Sequence, residues 1–335
     1  INADLRVVSD KEFPFALHHF TGSKEHNVAM RGRAQRLGYK MNEYGLFKGK
    51  KAVACRTEED IFEKLGLSFI PPEMREDRGE IESAERKTIP ALIVDRDIRG
   101  IFHNHTLHSD GSASVEEMVK AARAAGYDYI GLSDHSRSAG YAGGLDAARV
   151  RKQHQEIDAV QKKFKDITIF KGIESDILKD GSLDYPDKVL ASFDFVIASV
   201  HSNFNLSRKD QTARVIKAVQ NPYTTMLGHP TGRLLLTRDG FPIDLEAVID
   251  AAADCGVVME LNANPMRLDL DWRILAFARE RKVPVSINPD AHSIEGIGHV
   301  RYGVGIARKG WLTKKDVFNA KTSGEVRKAL DARRR

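Results

Sequence analysis

Seven short apolar runs, separated by polar turns and helix-like stretches, constrain this chain more than any other feature of its sequence. The runs end near Ile101-Phe102, Tyr129-Ile130-Gly131, Ile167-Thr168-Ile169-Phe170, Phe195-Val196-Ile197, Met226-Leu227, Val257-Val258-Met259 and Val283-Pro284-Val285. Between them lie helix-like patterns over 115–125, 147–164, 212–219, 245–255 and 272–281. Continuous apolar strands alternating with helices imply a parallel sheet buried on both faces. Seven such units within residues 98–335 favour a closed or nearly closed α/β barrel. An open doubly wound sheet is the alternative.

Each run is followed at once by residues that bind metals or phosphates. The first leads into His103, His105, His108 and Asp110, the second into Asp134 and His135, the third into Glu174, and the fourth into His201. The fifth leads into His229 and Arg233, the sixth into Glu260 and Asn262, the seventh into Asp290 and His292. In a parallel barrel these are the C-terminal strand ends, whose loops converge on one mouth. A lone histidine at a strand end is ordinarily a hydrogen-bonded structural residue, but recurrence at successive ends points to a shared cavity. The spacing of His103 and His105 directs both side chains to one face if the strand continues through them. Neutral imidazole with carboxylate suits zinc, manganese or iron, whereas all-oxygen sites suit magnesium or calcium. The candidate ligands His103, His105, Asp110, His135, Glu174, His201, His229, Asp290 and His292 exceed one tetrahedral zinc site, so two or three ions are implied. Clustered divalent ions serve the hydrolysis of phosphate esters. Arg137, Lys171, Arg233 and Asn262 are candidate phosphate contacts. Asp134 either orients His135 or caps a helix, His108 lies in a turn behind the ligands, and His154 and His299 read as structural.

Composition narrows the class. Two cysteines among 335 residues exclude a disulfide framework and a thiolate metal site. No apolar run approaches the ~20 residues that span a bilayer, and the N-terminus lacks a signal-peptide pattern, so a cytoplasmic protein without membrane association is expected. The net charge of +5 is mild, but residues 11–51 and 301–335 are basic while 58–85 are acidic. Residues 1–79 read as a small α+β unit, with helix-like stretches near 24–38 and 58–65 and strand-like pieces near 40–54. Ala3–Val8 reads as a strand, and 80–97 as an acidic connector before the barrel at 98–335.

The motifs HNHTLHSDG, SDHS, GIE, SVHS, GHP and PDAHS occur in order and resemble those of the PHP (polymerase and histidinol phosphatase) superfamily. The resemblance implies a distorted seven-stranded β/α barrel with a trinuclear metal centre. By that resemblance one ion takes His103, His105, Glu174 and Asp290, a second takes Asp110, His135 and bridging Glu174, and a third takes His201, His229 and His292. Some members carry histidine where this chain has Asp110. HHFTGSKEHNVAMRGRAQRLGYKMNEYGLF, residues 18–47, resembles the thumb of family X DNA polymerases. The resemblance makes Lys24, Asn27 and Arg31 candidate DNA contacts, with Arg33 and Arg36 on the same basic face, and Asp4 the third palm carboxylate.

A thumb ahead of a PHP barrel resembles bacterial family X polymerases, in which it implies 3'-5' exonuclease activity on DNA, with gapped or damaged 3' ends as partners. It also implies a polymerase portion N-terminal to Ile1, whose other two carboxylates would complete a Mg²⁺ site in the parent protein; without them, no primer extension is expected. The alternatives are a small-molecule phosphomonoesterase of the histidinol-phosphatase type, which shares every metal ligand, and a non-catalytic stabilising module.

Overall fold

The computed structural model describes residues 2–333, and the chain divides into two compact units, Ile1–Ala91 and Leu92–Arg335. Ile1 lies outside the described residues.

The first unit holds helices α1 (Phe13–Thr21) and α2 (Lys24–Arg36), an antiparallel sheet of β1 (Lys40–Asn42), β2 (Gly45–Lys48) and β3 (Lys51–Val53), then α3 (Glu58–Lys64) and α4 (Glu80–Glu85). Ser23 starts α2 by accepting a hydrogen bond from His26 N at 3.1 Å, which satisfies one of the amides left open at a helix start. Thr57 and Asp60 form a reciprocal capping box on α3. Met30, Leu46, Ile61, Phe62 and Ile70 are fully buried and form the core. One expectation fails here: Ala3–Val8 makes no strand, Leu5 and Val7 are 90% and 88% exposed, and no strand among the described residues pairs with the segment. The expected acidic connector over 80–97 begins as a packed helix of this unit. Glu80 is fully buried in α4, where its carboxylate accepts from Asp77 N and Arg78 N and pairs with His26 Nδ1 at 2.7 Å. The acidic run therefore conceals a packed helix.

The second unit is the seven-stranded parallel sheet, in the order β10-β9-β8-β7-β6-β5-β4. Its strands are β4 (Gly100–Ile101), β5 (Tyr129–Leu132), β6 (Thr168–Asp176), β7 (Phe195–Ser199), β8 (Met226–Leu227), β9 (Val258–Asn262) and β10 (Val285–Asn288). Helices α5 (Val115–Ala124), α6 (Ala147–Lys163), α7 (Asp187–Leu190), α8 (Arg208–Val219), α9 (Leu245–Cys255), α10 (Trp272–Glu280), α11 (Val300–Lys309) and α12 (Ser323–Arg333) complete the unit. All seven expected strands form, and each pairs with the next in sequence. β6 runs longer than expected, pairing with β5 through Thr168–Lys171 and with β7 through Gly172–Asp176.

Side-chain alternation sorts the interior. Phe102, Tyr129, Phe170, Phe195, Ile197, Met226 and Val258 pack together with Phe318, Val326 and Leu330 from the C-terminal segment. Two glycines give these rings room: a Cβ on Gly131 would lie 2.4 Å from Phe102, and one on Gly172 2.1 Å from Phe195. Continuing two residues at a time from Phe170 and Val258 reaches Glu174 and Glu260, so the face that carries apolar core at one end carries acids at the other.

The sheet closes without a direct β4–β10 ladder. Near the mouth, His105 N donates to Ala291 O at 2.8 Å and Ala291 N to His103 O at 3.2 Å. Lower down, the fully buried Asn319 side chain bridges the edges: Ile287 N donates to its Oδ1 at 2.9 Å, and its Nδ2 donates to Gly100 O at 2.9 Å and Ile287 O at 2.8 Å.

Candidate metal centre

All nine expected ligands converge at the C-terminal strand ends. Glu174 stands in the middle, with Oε1 3.2 Å from His103 Nε2, 3.2 Å from His201 Nε2 and 2.9 Å from His229 Nε2. Its Oε2 lies 2.9 Å from His135 Nδ1 and 3.7 Å from His105 Nε2. Asp290 Oδ1 is 3.4 Å from His105 Nε2, and Asp110 approaches His135 Nε2 at 3.6 Å. Donor atoms lie within 4.8 Å of one another in four overlapping groups: His105, Asp110, His135 and His292; His103, His229 and Asp290; His103, His105 and Glu174; His135, Glu174 and His201.

The four donor groups overlap and do not reproduce the expected third set, since His201, His229 and His292 fall in different groups. His292 does not join His201 and His229; its ring stacks on His105 at 4.1 Å, and its Nε2 faces Asp110 at 3.4 Å. The reason is the closure between β10 and the segment after β4, which carries the loop after β10 to the Asp110 side of the mouth. The spacing argument for His103 and His105 also needs revision, since β4 ends at Ile101 and both lie beyond it. His103 adopts φ 57°, and His229 and Asp290 also have positive φ, at 21° and 51°. Such backbone is costly for residues other than glycine and clusters at functional sites. Gly111 has the opposite role: a Cβ there would sit 2.6 Å from the His105 carbonyl, so this glycine lets the Asp110 loop fold against the first ligands.

The donors fit divalent ions on the evidence of their own unmet valences. His103 Nε2, both nitrogens of His105, His135 Nδ1, Glu174 Oε2 and His229 Nδ1 are buried without a hydrogen-bond partner, whereas buried polar atoms are ordinarily paired. Burial opposes charge on Glu174 and Asp290, yet the surrounding imidazoles hold both carboxyls well below the usual range. Burial, followed by neighbouring His292 and His135, pushes His105 down to about 4, so it presents a neutral imidazole suited to ligation. Burial works against a charged His103, but Glu260, Glu174 and Asp290 outweigh it and raise its pKa well above the usual value. Negative groups thus demand compensating positive charge at the centre.

Two acids outside the expected ligand set, Glu260 and Asp176, orient these side chains. Glu260, fully buried, takes His103 Nδ1 at 2.6 Å and Asn288 Nδ2 at 2.9 Å on Oε1, and His229 N at 2.7 Å and Asn262 Nδ2 at 3.1 Å on Oε2. Asp176 accepts from His201 Nδ1 at 2.6 Å. Each directs the opposite Nε2 toward the cluster. Their inward position two residues along the strand from another inward residue was the available signal.

Most expected phosphate contacts are engaged elsewhere. Arg233 donates to the Arg267 and Leu268 carbonyls and pairs with Asp271. Lys171 lies inside the lengthened β6 and pairs with Asp158 of α6 at 2.7 Å. Buried Asn262 donates to Glu260 and Asp290, so it braces the ligands. Arg137 is exposed, 3.8 Å from Asp184. Arg267, absent from the sequence candidates, fits the role better: its Nε is 3.3 Å from Asp290 Oδ2, and its buried Nη1 has no hydrogen-bond partner.

Asp134 does not orient His135, since it accepts from Thr106, Ser109 and Gln153 and so fixes the loop between His105 and Asp110. His108 turns away to Glu156, and His154 packs on Phe193. In the first unit Lys24 and Arg31 are exposed, but Asn27 is buried, its amide donating to His19 O and Gly22 O. That amide holds the turn before α2.

Comparison with known proteins agrees with this anatomy. Residues 16–76 match the DNA polymerase beta thumb and residues 102–263 the PHP domain. The chain is 42% identical over 327 residues to the DNA polymerase/3'-5' exonuclease PolX of Bacillus subtilis, covering 97% of this chain and 57% of that protein's length. A probable phosphatase of Acetivibrio thermocellus is 30% identical over 57% of this chain and 78% of its own length. A crystal structure of histidinol phosphate phosphatase from Lactococcus lactis, complexed with zinc, L-histidinol and phosphate, has a TM-score of 0.49 at 21% identity, covering 63% of this chain and 94% of that one.

Proposed function

Because the chain belongs to the PHP family and carries a family X polymerase thumb ahead of its PHP domain, we propose that it hydrolyses phosphodiester bonds at DNA 3' ends, as the 3'-5' exonuclease of a bacterial family X polymerase. The observation that carries this reading is the convergence of nine His, Asp and Glu side chains into four overlapping donor groups with unpartnered buried atoms. Three divalent ions, zinc, manganese or iron, held by His103, His105, Asp110, His135, Glu174, His201, His229, Asp290 and His292, are the cofactors of this proposal. When bound, such ions activate water and neutralise charge at the reacting phosphorus.

The chain's own groups do the rest. Glu260 and Asp176 hold His103 and His201 in fixed orientation, so the donors need no rearrangement as charge develops. Glu174, in reach of five imidazoles, keeps the donor groups in register. Arg267, with an unengaged Nη1 beside Asp290, supplies a donor for a nonbridging phosphate oxygen. The exposed Lys24 and Arg31 of the thumb contribute backbone contacts to DNA. Among the described residues no helix is long and apolar enough to cross a membrane, and we place the protein in the cytoplasm.

The test compares 3'-labelled single-stranded and gapped DNA with histidinol phosphate and p-nitrophenyl phosphate, after chelation and reloading with each metal. Release of 3' nucleotides, abolished by His103→Ala or His105→Ala with the fold retained, is the expected result. Turnover of the monoesters alone would favour the small-molecule phosphatase reading. No hydrolysis of either class would overturn both.

A further inference from the structure

Tyr141 is the side chain at the barrel mouth that neither the fold nor the donor cluster explains. It is 73% exposed, yet its ring centroid lies 6.2 Å from that of His135 and 6.4 Å from that of His201. A large exposed aromatic on a loose loop would need no account, but this loop is pinned. Leu145 N donates to His135 O at 2.8 Å and returns the loop to its starting strand end. Ser138 donates through N to Asp184 at 2.6 Å and through Oγ to Asp176 at 2.8 Å, and Arg149 holds the Gly143 carbonyl at 2.6 Å. Gly144 passes so close to Ser136 that a Cβ would strike its carbonyl oxygen. The turn Gly140–Ala142 therefore presents the ring rigidly beside two candidate ligands.

The mouth offers further unpaired apolar surface on other loops. Leu107 follows β4, Leu236 follows β8 and Met266 follows β9, and they are 63%, 106% and 48% exposed. A substrate whose phosphate reaches the donors must place what it carries next to that phosphate against this rim. A flat, uncharged, polarizable group on a phosphodiester is a nucleobase, and aromatic side chains bind bases of any sequence by stacking.

We propose that Tyr141 is the stacking platform for the base of the 3'-terminal nucleotide, with its phosphodiester at the donor cluster, and that this contact separates nucleic-acid ends from small phosphate esters. The inference rests on the 3'-end nuclease reading and deepens it. Stacking on one base corresponds to a change on the order of ten- to a hundredfold in affinity.

The experiment uses the metal-loaded full chain and single-stranded oligonucleotides that differ only at the 3' terminus, one ending in a normal nucleotide and one in an abasic tetrahydrofuran nucleotide. Tyr141→Leu should lower kcat/KM at least tenfold more on the base-bearing end than on the abasic end, and Tyr141→Phe should restore the preference. In parallel, an oligonucleotide ending in 2-aminopurine behind a phosphorothioate linkage should lose fluorescence on binding wild type and Tyr141→Phe, but not Tyr141→Leu. Equal losses on both termini would show that Tyr141 only supports its loop, and unchanged kinetics would show no stacking; either overturns the inference while leaving the nuclease reading intact. Failure of the wild type to cleave any 3' end refutes that reading, and this inference with it.

Discussion

Replacing Asn319 by Ala should loosen the barrel at the one place where its sheet is not laddered. The side chain is fully buried and makes three hydrogen bonds, one accepted from Ile287 N and two donated to Gly100 O and Ile287 O. Its own carbonyl accepts from Arg99 N, a bond the substitution leaves in place. Alanine therefore strips partners from three backbone groups on the two edge strands. Each unsatisfied buried group costs roughly 1–3 kcal/mol, and water entering the vacated volume recovers part of that, which leaves a loss of about 3–5 kcal/mol. In a unit of this size each kcal/mol shifts Tm by about 2–4 °C, so a fall of about 6–20 °C is expected. Both tryptophans, Trp272 and Trp311, lie in the barrel unit, so their fluorescence reports its unfolding without contribution from the thumb. A shift under 2 °C would refute the claim that Asn319 closes the seam, and a matching loss in Asn319→Asp, which keeps the acceptor, would assign the effect to the two donated bonds.

Other outcomes follow from the same contacts. Glu260→Gln places an amide NH2 against donors from His229 N or Asn288 Nδ2, so ion affinity should fall about 10–100-fold, read by competition with a chelator of known strength; a change under twofold would show that Glu260 does not orient His103. Removing the ions should lower the tryptophan-reported Tm and leave hydrogen exchange in α2 unchanged, because ligand stabilisation of the native state reaches about 2.7 kcal/mol at a hundred times Kd. His18 supplies a pH test in the thumb unit: burial, with Arg75 and His26 nearby, depresses its pKa to about 3. The folded state then resists the proton that the unfolded chain accepts near 6.5, so stability is full above pH 6.5 and declines as pH falls toward 3, by about 5 kcal/mol in all. His18→Leu should flatten that decline in amide exchange of α2, and an unchanged pH profile would refute the assignment.

How far the site could be read in advance depended on what each residue's role required. The convergence of nine His, Asp and Glu side chains on one mouth was legible because the barrel repeats the same strand-end position seven times. Their grouping was not legible, because His292 reaches Asp110 only through the closure between His103–His105 and Ala291. Arg233 and Asn262 were misjudged as substrate contacts for the same reason: their partners, Asp271 and the Arg267 and Leu268 carbonyls for one and Glu260 and Asp290 for the other, are brought up by folding. Lys171 was misplaced because β6 continues past Phe170, and apolar periodicity breaks wherever an inward position is acidic. In the first unit, charge density hid α4, whose Glu80 is acidic in composition and buried in fact.

By itself, then, the sequence determined the seven β/α units, the small α+β unit before them, and the chemistry of the mouth, since hydrophobic period and side-chain type are local properties that a linear chain displays. Tertiary structure alone decided which donors come within reach of one another, which acids orient them, which arginine has a hydrogen still to give, and where Tyr141 stands. Those are relations between residues up to 187 positions apart, as with His103 and Asp290, and distance in space between such residues is set by strand order and barrel closure, which no local pattern encodes.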